Sequence, residues 1–148
     1  MPNKTGVLQL PVTASPFLAE RARSDLRSHS GFLDIVDGMG QPGKPKRTEG
    51  VVGYIVKPDA AGKGVATEVT RGLLRAAFDH LGLRRVTAGC NADNPASARV
   101  LEKAGMRREQ HGVEDSWHAE LGWVDGYQYA ILAREWQHAV RGGSPQRS

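Results

Sequence analysis

The feature that most constrains the fold is a strand, a glycine-bearing turn and a helix start in direct succession between Val51 and Thr67. Val51–Val56 is an apolar run, which predicts a buried strand, and Pro58 ends it. Gly62–Gly64 then leads into an amphipathic helix. Glycines let the backbone approach a ligand closely, and the first N–H groups of a helix lack intrahelical partners, so this order of elements favours an anion site. A plain strand-to-helix turn fits the same residues, and both interpretations stay open at this point.

The length of 148 residues predicts one domain with a core of its own, and a hydrophobic fraction of 39% is typical of a soluble globular chain. No apolar run approaches the ~20 residues that a membrane span needs. The N-terminus lacks the apolar core and cleavage pattern of a signal peptide. Cys90 is the single cysteine, which excludes an internal disulfide and a thiolate metal cluster. We therefore expect a cytoplasmic protein without membrane association and without a metal.

The chain is basic, with 20 Lys and Arg against 16 Asp and Glu and a net charge of +4. The positive charges are scattered, apart from two arginine pairs and a short run at Lys44–Arg47 in a Gly- and Pro-rich loop. We interpret most of them as solvated surface, with some available to an anionic ligand. We expect no nucleic-acid partner. The alternative, a basic nucleic-acid-binding domain, predicts a steep loss of affinity with salt.

The N-terminal third predicts two short strands, at Val7–Val12 and Phe32–Val36, with a helix at Pro16–His29 between them. Thr67–Leu81 is the clearest helix, because Val69, Leu73 and Ala77 form one apolar line that Leu74, Phe78 and Leu81 widen. Gly82 suits its left-handed C-cap, and Leu83–Cys90 reads as the next strand. A strand, a helix and a second strand in this order predict a crossover with parallel pairing.

The C-terminal part begins with Asn94 as a predicted N-cap before a short helix that Gly105 ends. The polar segment Arg107–Gly122 receives no assignment. Trp123–Trp136 is predicted to be a closing strand, and residues 137–148 are predicted to be a disordered tail.

Three motifs in this order resemble the GNAT family of N-acetyltransferases, over about residues 50–136. The resemblance implies one α/β (α+β) domain at residues 1–136, with a mixed twisted sheet flanked by helices and a shortened N-terminal portion at 7–49. Gly53–Asp59 with Gly62–Glu68 is similar to the acetyl-CoA signature of the family, and Asn94–Met106 is similar to its second motif. Trp123–Leu132, closed by Glu135 and Trp136, is typical of the RimJ/RimL-like branch. That branch includes ribosomal-protein N-terminal acetyltransferases.

The resemblance also implies where acetyl-CoA binds as a co-substrate. The backbone of Tyr54, Ile55 and Val56 would pair with the pantetheine arm like an added strand. Asn94 would hydrogen-bond the same arm from the helix cap, although a plain N-cap role is the alternative. The pyrophosphate would be held by the backbone N–H groups of the turn and helix start, with Lys63 adding a cation: Ala61, Gly62, Lys63, Gly64, Val65, Ala66 and Thr67.

The implied reaction is direct acyl transfer from a thioester to an amine, which needs a neutral amine and a group that protonates the departing thiolate. Many GNAT enzymes use a tyrosine as that acid, and Leu101 stands in its place here. In the RimL-like branch a serine at the position of Ser97 is the suggested substitute. Ser97 is therefore our candidate acid, and an ordinary first-turn helix serine is the alternative.

A base is expected from the segment that would line the acceptor side, which contains Glu114, Asp115, His118 and Glu120. The candidates are Glu114 and His118. The unperturbed pKa of histidine already suits proton uptake near neutrality, which favours His118. Glu49, on the strand that holds Val51, is a weaker candidate. A solvated acidic loop is the alternative for any one of them.

Only 52 residues precede Gly53, fewer than the family usually places there. The missing pieces normally shape the acceptor pocket and cover one sheet edge, so the protein has either a more open acceptor site or impaired activity. An exposed edge favours pairing with a second copy, and we expect a monomer or a homodimer.

The sequence thus predicts an acetyl-CoA-dependent N-acetyltransferase that acts on a primary amine, either a protein N-terminus or a small molecule. The alternative is a non-catalytic GNAT-like module that binds acetyl-CoA or only a partner.

Overall fold

The computed structural model describes residues 7–11, 30–37, 41–55 and 64–140. They form a six-stranded mixed sheet in the order β1-β2-β3-β4-β6-β5, flanked by helices, which confirms the predicted fold class. The elements in chain order are β1 (Val7–Pro11), β2 (Ser30–Val36), β3 (Glu49–Ile55), α1 (Val65–Arg75) with a π-helical turn (Ala76–His80), β4 (Arg85–Asn91), α2 (Pro95–Lys103), β5 (Arg107–His118), β6 (Gly122–Leu132) and α3 (Ala133–Val140).

All neighbouring strands pair antiparallel except β3 and β4, which pair in parallel as the crossover through α1 predicts. The parallel register is short, because it contains only the pairs Glu49–Arg85, Gly50–Val86 and Val51–Thr87. The sheet is therefore two antiparallel triplets, β1-β2-β3 and β4-β6-β5, joined along three residue pairs.

Helix α1 packs on the sheet through the predicted apolar line, since Val69, Leu73 and Ala77 are all buried. Leu73 reaches Gly31 of β2, where a Cβ atom would lie 2.9 Å from Leu73 Cδ1, so the glycine lets helix and strand approach closely. The prediction for Leu81 was wrong, because this side chain is 40% exposed. The helix changes to π-helical geometry at Ala76, which shifts the last residues away from the line that α-helical spacing predicts.

Three predicted helix boundaries are confirmed. Gly82 follows the helical region that begins at Val65 and has a left-handed φ of 64°, and Gly105 follows α2 with a φ of 96°. Asn94 is the N-cap of α2, because its Oδ1 accepts a hydrogen bond from the Ser97 amide at 3.1 Å.

The C-terminal part required two corrections. The closing strand ends at Leu132 rather than at Trp136, because Ala133–Trp136 is the first part of helix α3. The helix continues to Val140, so the prediction of disorder was wrong for residues 137–140. The unassigned segment is the long strand β5. The predicted helix at Pro16–His29 and residues 141–148 lie outside the described residues. None of the described helices is long and apolar enough to cross a bilayer.

Candidate active site

The central feature of the site is the gap that opens where β3 and β4 separate. Their pairing ends at Val51–Thr87, but β3 continues to Ile55 along β2, and β4 continues to Asn91 along β6. Among the described strands, none pairs with the β3 edge from Val52 to Ile55 that faces β4. Backbone N–H and C=O groups on such an edge need partners from a ligand, a further segment or water. The gap thus presents a strand edge to an extended, amide-bearing ligand.

The start of α1 has the geometry of an anion site. Gly64 is its N-cap with a φ of 78°, and no side chain caps the helix. A Cβ atom added at Gly64 would meet no atom of the described residues within 4 Å. The amides of Val65, Ala66 and Thr67 form the first turn, whose N–H groups favour negative charge.

Four residues of the predicted co-substrate site lie outside the described residues: Val56, Ala61, Gly62 and Lys63. Ile55 is described as the last residue of β3.

Tyr54 near the end of β3 contacts Ser97 in the first turn of α2, although they are 43 residues apart in the sequence. The Tyr54 hydroxyl donates to Ser97 Oγ at 3.4 Å, and the Ser97 amide is held by Asn94. Burial raises the pKa of the Tyr54 phenol, so it stays protonated near neutrality. The sequence singled out Tyr54 only for its backbone, because no local pattern indicates a side-chain contact with α2.

Cys90 lies near the end of β4, opposite Tyr127 of β6. Its side chain is half-buried, and burial, reinforced by the Glu102 carboxylate, raises the pKa of the thiol. A thiol with a raised pKa is mostly neutral near pH 7 and a poor nucleophile.

The residues predicted to supply a base occupy different positions. His118 Nδ1 accepts hydrogen bonds from the amides of Glu120 and Leu121, both at 3.1 Å, and so organises the β5–β6 turn. Glu114 has an exposed side chain and a φ of 47°, and its amide donates to Asp125 Oδ1 at 2.8 Å. No hydrogen bond or ion pair between described residues joins either one to Ser97.

Glu49 is poorly suited to be a base. Its carboxylate lies 3.0 Å from Lys44 Nζ and 3.5 Å from an Arg84 nitrogen. The hydrogen bond from Lys44 lowers the pKa of the Glu49 carboxyl, so this group releases rather than holds a proton.

The sequence did not reveal a second constellation, on β5 and β6, centred on Asp125. One carboxylate oxygen lies 2.7 Å from His111 Nε2, and the other accepts the Glu114 amide. The Glu114 amide first, and then His111, lower the pKa of the Asp125 carboxyl. The register shifts between Gly112 and Ser116 in this region, so β5 carries a bulge there. The facing glycines at positions 112 and 126 were the signal available in the sequence.

A polar cavity of about 260 Å³ opens beside the end of β4 on the surface of the sheet. Its lining combines three glycines with amide, hydroxyl and thiol groups and one carboxylate: Gly89, Cys90, Asn91, Gln110, Gly112, Asp115, Ser116, Gly126, Tyr127 and Gln128.

Comparison with known proteins decides the family. The family model for the acetyltransferase (GNAT) domain matches residues 20–107, more than half of the chain. The chain belongs to the GNAT acetyltransferase family. The β3–β4 gap, the start of α1 and the Asn94 cap are thus features of a GNAT domain.

Individual relatives agree with this. The chain is 36% identical over 85 residues to a Bacillus subtilis protein named "Uncharacterized N-acetyltransferase YnaD", covering 57% of this chain and 49% of that protein. A GNAT-family acetyltransferase structure from Bacillus anthracis is 27% identical, with a TM-score of 0.58 over 81% of this chain and 73% of the other. The ribosomal-protein-S5-alanine acetyltransferase of Vibrio fischeri, 19% identical over 73% of this chain and 55% of its own, shares the fold with a TM-score of 0.60. The chain spans about half the length of YnaD.

Proposed function

We propose that this GNAT protein transfers the acetyl group of acetyl-CoA directly to a primary amine. The β3–β4 gap is the observation that carries this proposal, because it combines a strand edge that no described strand pairs with, the start of α1 and the Tyr54–Ser97 hydrogen bond. An unpaired edge suits the amides of a pantetheine arm, and a helix N-terminus suits a pyrophosphate.

In this proposal the chain holds acetyl-CoA mainly by its backbone. Tyr54 and Ile55 offer the end of the β3 edge, and Val56, the next residue in the sequence, is assigned to the same contact. Asn94 adds a side-chain amide at the start of α2. The bound acetyl-CoA supplies an acetyl group activated as a thioester. The pyrophosphate is assigned to the segment with the glycines and the start of α1: Ala61, Gly62, Lys63, Gly64, Val65, Ala66 and Thr67.

Ser97 is assigned the hydrogen bond to the departing sulfur. The Tyr54 hydroxyl donates to Ser97 Oγ, which leaves the Ser97 proton free to point into the gap. Since the raised pKa of Tyr54 keeps its own proton in place, the two hydroxyls form a short donor chain towards the site.

Glu114 and His118 remain the candidates for the base, and the geometry favours Glu114. His118 Nδ1 accepts two backbone hydrogen bonds, so the proton of the neutral ring is on Nε2 and no ring nitrogen is free to accept another. The Glu114 side chain is exposed, and no hydrogen bond between described residues occupies its carboxylate.

The acceptor is a protein N-terminus or a small-molecule amine. The motif at Trp123–Leu132, typical of the RimJ/RimL-like branch, supports the protein N-terminus. We further propose a cytoplasmic protein that works as a monomer or a homodimer.

One observation favours a second candidate, a GNAT module that binds acetyl-CoA without catalysis. Leu101 stands where many family members carry the acidic tyrosine, and its side chain is 2% exposed and packed in the core. No hydroxyl reaches the gap from this position, so catalysis depends on Ser97.

The deciding experiment is a calorimetric titration of the full chain with acetyl-CoA and with CoA, followed by an assay of free thiol release in the presence of amines. Micromolar binding and amine-dependent thiol release would support the acetyltransferase. Binding without release, across protein N-terminal peptides and small amines, would support the non-catalytic module. Absence of binding at millimolar acetyl-CoA would overturn both.

A further inference from the structure

We propose that two copies of this chain associate head to tail, with the end of the β5–β6 hairpin of one copy lying in a basic groove of the other. The hairpin end is residues 113–124, and the basic groove lies between the ends of α1, α2 and α3. This contact goes beyond the acetyl transfer proposed above and does not depend on it.

The hairpin end exposes large apolar side chains. Trp117 and Trp123 face each other across the two strands, with ring centroids 5.3 Å apart, and they are 64% and 61% exposed. Val113 and Leu121 are exposed as well, so four of the seven exposed large hydrophobic side chains of the described residues lie in this segment. Single exposed apolar residues are ordinary on a protein surface, but a cluster marks an interaction site, and tryptophan is enriched at interfaces. The hairpin end is therefore a candidate interface.

The hairpin end is also negatively charged. It contains Glu114, Asp115 and Glu120, whose side chains are all exposed, and it contains neither lysine nor arginine. Its histidine, His118, accepts two backbone hydrogen bonds on Nδ1, and Arg108 is at the start of β5, outside the segment. A partner for this surface should thus be positively charged.

The basic groove has the complementary charge. Its volume is about 880 Å³, and five lysine and arginine side chains line it beside one carboxylate, that of Glu135. Glu135 is paired with Arg107, and Arg71 donates to a backbone carbonyl, so three of the five cationic groups form no ion pair or hydrogen bond with another described residue. The lining also has apolar parts, among them the buried ring of Trp136, whose Nε1 donates to Asp79 outside the lining. The five cationic residues are Arg71, Arg75, Lys103, Arg107 and Arg134.

The two surfaces are at opposite ends of strand β6, so one molecule cannot join its own. Trp123 lies at the start of β6, and Leu132, which lines the groove, is its last residue. At a rise of about 3.4 Å per residue, the strand separates these two positions by roughly 30 Å. The surfaces therefore meet only between copies, in a heterologous contact that leaves a free hairpin end on one copy and a free groove on the other.

A second copy fits the groove better than the C-terminal residues of the same chain. Residues 141–148 follow α3, which lines the groove, but they contain two arginines and no Asp or Glu, so their charge has the same sign as that of the groove. The hairpin end instead offers carboxylates beside aromatic rings. An aromatic side chain buries about 150–250 Å², so two tryptophans give a small interface. We expect a weak contact, with a Kd of roughly 10–100 μM.

The first test is sedimentation velocity of the full chain at concentrations around the expected Kd, roughly 1–300 μM. The average mass of the wild type should rise with concentration. The association constant should fall at least about tenfold between about 50 and 500 mM NaCl, because salt screens the opposite charges. A wild type that stays monomeric throughout, or an association that does not weaken in salt, would overturn the proposal.

Two variants remove one surface each. The hairpin variant is Trp117→Ser with Trp123→Ser, and the groove variant is Arg75→Glu with Arg134→Glu, all at exposed side chains. Each variant alone should be monomeric, since it lacks one half of the contact, and circular dichroism checks that it is folded. If a double variant unfolds, Trp123→Ser and Arg75→Glu alone take its place. Leu81→Ser, at a leucine that is 40% exposed and outside both surfaces, should associate like the wild type.

An equimolar mixture of the two variants decides whether the contact is head to tail. The mixture should form a 1:1 dimer and nothing larger, because one intact groove and one intact hairpin end remain and neither copy can extend further. A symmetric contact between two hairpin ends would leave the groove variant associated by itself, and a symmetric contact between two grooves would leave the hairpin variant associated. Either result, or a mixture that stays monomeric, would overturn the proposal.

Discussion

The hydroxyl of Ser97 is the single group on which the proposed chemistry depends most. Ser97→Ala should leave the Kd for acetyl-CoA unchanged, because Asn94 caps the amide of residue 97 and not its side chain. It should lower kcat about 100-fold, a typical loss for one hydrogen-bond donor to a developing charge. Titration with acetyl-CoA and steady-state thiol release measure the two effects separately. Unchanged kcat would remove Ser97 from the mechanism.

The buried phenol of Tyr129 makes the stability of the protein depend on pH in the alkaline range. Burial and a hydrogen bond to Glu102 at 3.0 Å raise its pKa to about 12 from an ordinary value of 10.0. Because the folded state holds this proton more tightly, the contribution is complete below pH 10 and is lost as the pH rises towards 12. The free energy of unfolding should therefore fall more steeply over this range in the wild type than in Tyr129→Phe, measured with urea. Parallel curves would contradict the assignment.

At the scale of elements, the proposed pyrophosphate site at the start of α1 can be tested by comparing a valine substitution at Gly64 with the same substitution at Gly82. Gly64→Val puts a β-branched side chain at a φ of 78° and into the proposed path of the pyrophosphate, and should abolish acetyl-CoA binding. Gly82→Val imposes a similar backbone strain at a φ of 64° after the same helical region, also with no atom of the described residues within 4 Å. Each should cost about 1–2 kcal/mol of stability, but Gly82→Val should retain binding. Equal loss of binding in both variants would attribute the effect to strain alone.

The elements that the sequence predicted well are those whose signals are local. The apolar line of α1, the cap at Asn94 and the left-handed glycines at 82 and 105 each depend on a few neighbouring residues. Strand β5 was missed because nearly all of its side chains face solvent, so it lacks the alternation that marks a half-buried strand. The start of α3 was missed because the apolar residues at the end of β6 and in the first turn of α3 together form one continuous pattern, which predicts a strand throughout.

The candidate site divides in the same way. The start of α1, which is the candidate anion site, and the cap residue Asn94 lie in contiguous motifs that the sequence shows directly. The Tyr54–Ser97 contact and the placement of Asp115 depend on long-range register and on a bulge, which no local pattern encodes.

Across the whole molecule, a chain of ion pairs ties the C-terminal elements together. Glu109 of β5 bonds Arg85 of β4 and lies 2.9 Å from Arg107, which also pairs with Glu135 of α3. The hydrogen bond from Arg85 is the largest cause that lowers the pKa of the Glu109 carboxyl below its ordinary 4.5. This contribution to stability is present above pH 4.5 and is lost as the pH falls through the lowered pKa.

Glu109→Gln should therefore be about 0.5–1 kcal/mol less stable than the wild type at pH 7, and the difference should shrink as the pH falls below 4.5. Urea unfolding at several pH values measures it. Glu120→Gln, with a side chain at the exposed turn, should show no such difference. A destabilisation of Glu109→Gln that persists unchanged at low pH would show that charge is not its cause.

The short parallel register between β3 and β4 has a consequence for how the molecule opens. Each antiparallel triplet draws its strands from one continuous stretch of chain, and among the described strands the two triplets pair along three residue pairs. Of the described strand pairs, β3 and β4 share the fewest residue pairs, so the amide hydrogens of this register should exchange with solvent early. A molecule lying in the gap would supply the hydrogen bonds that β3 and β4 do not make to each other there. The proposed co-substrate would thus also hold the two halves of the sheet in register.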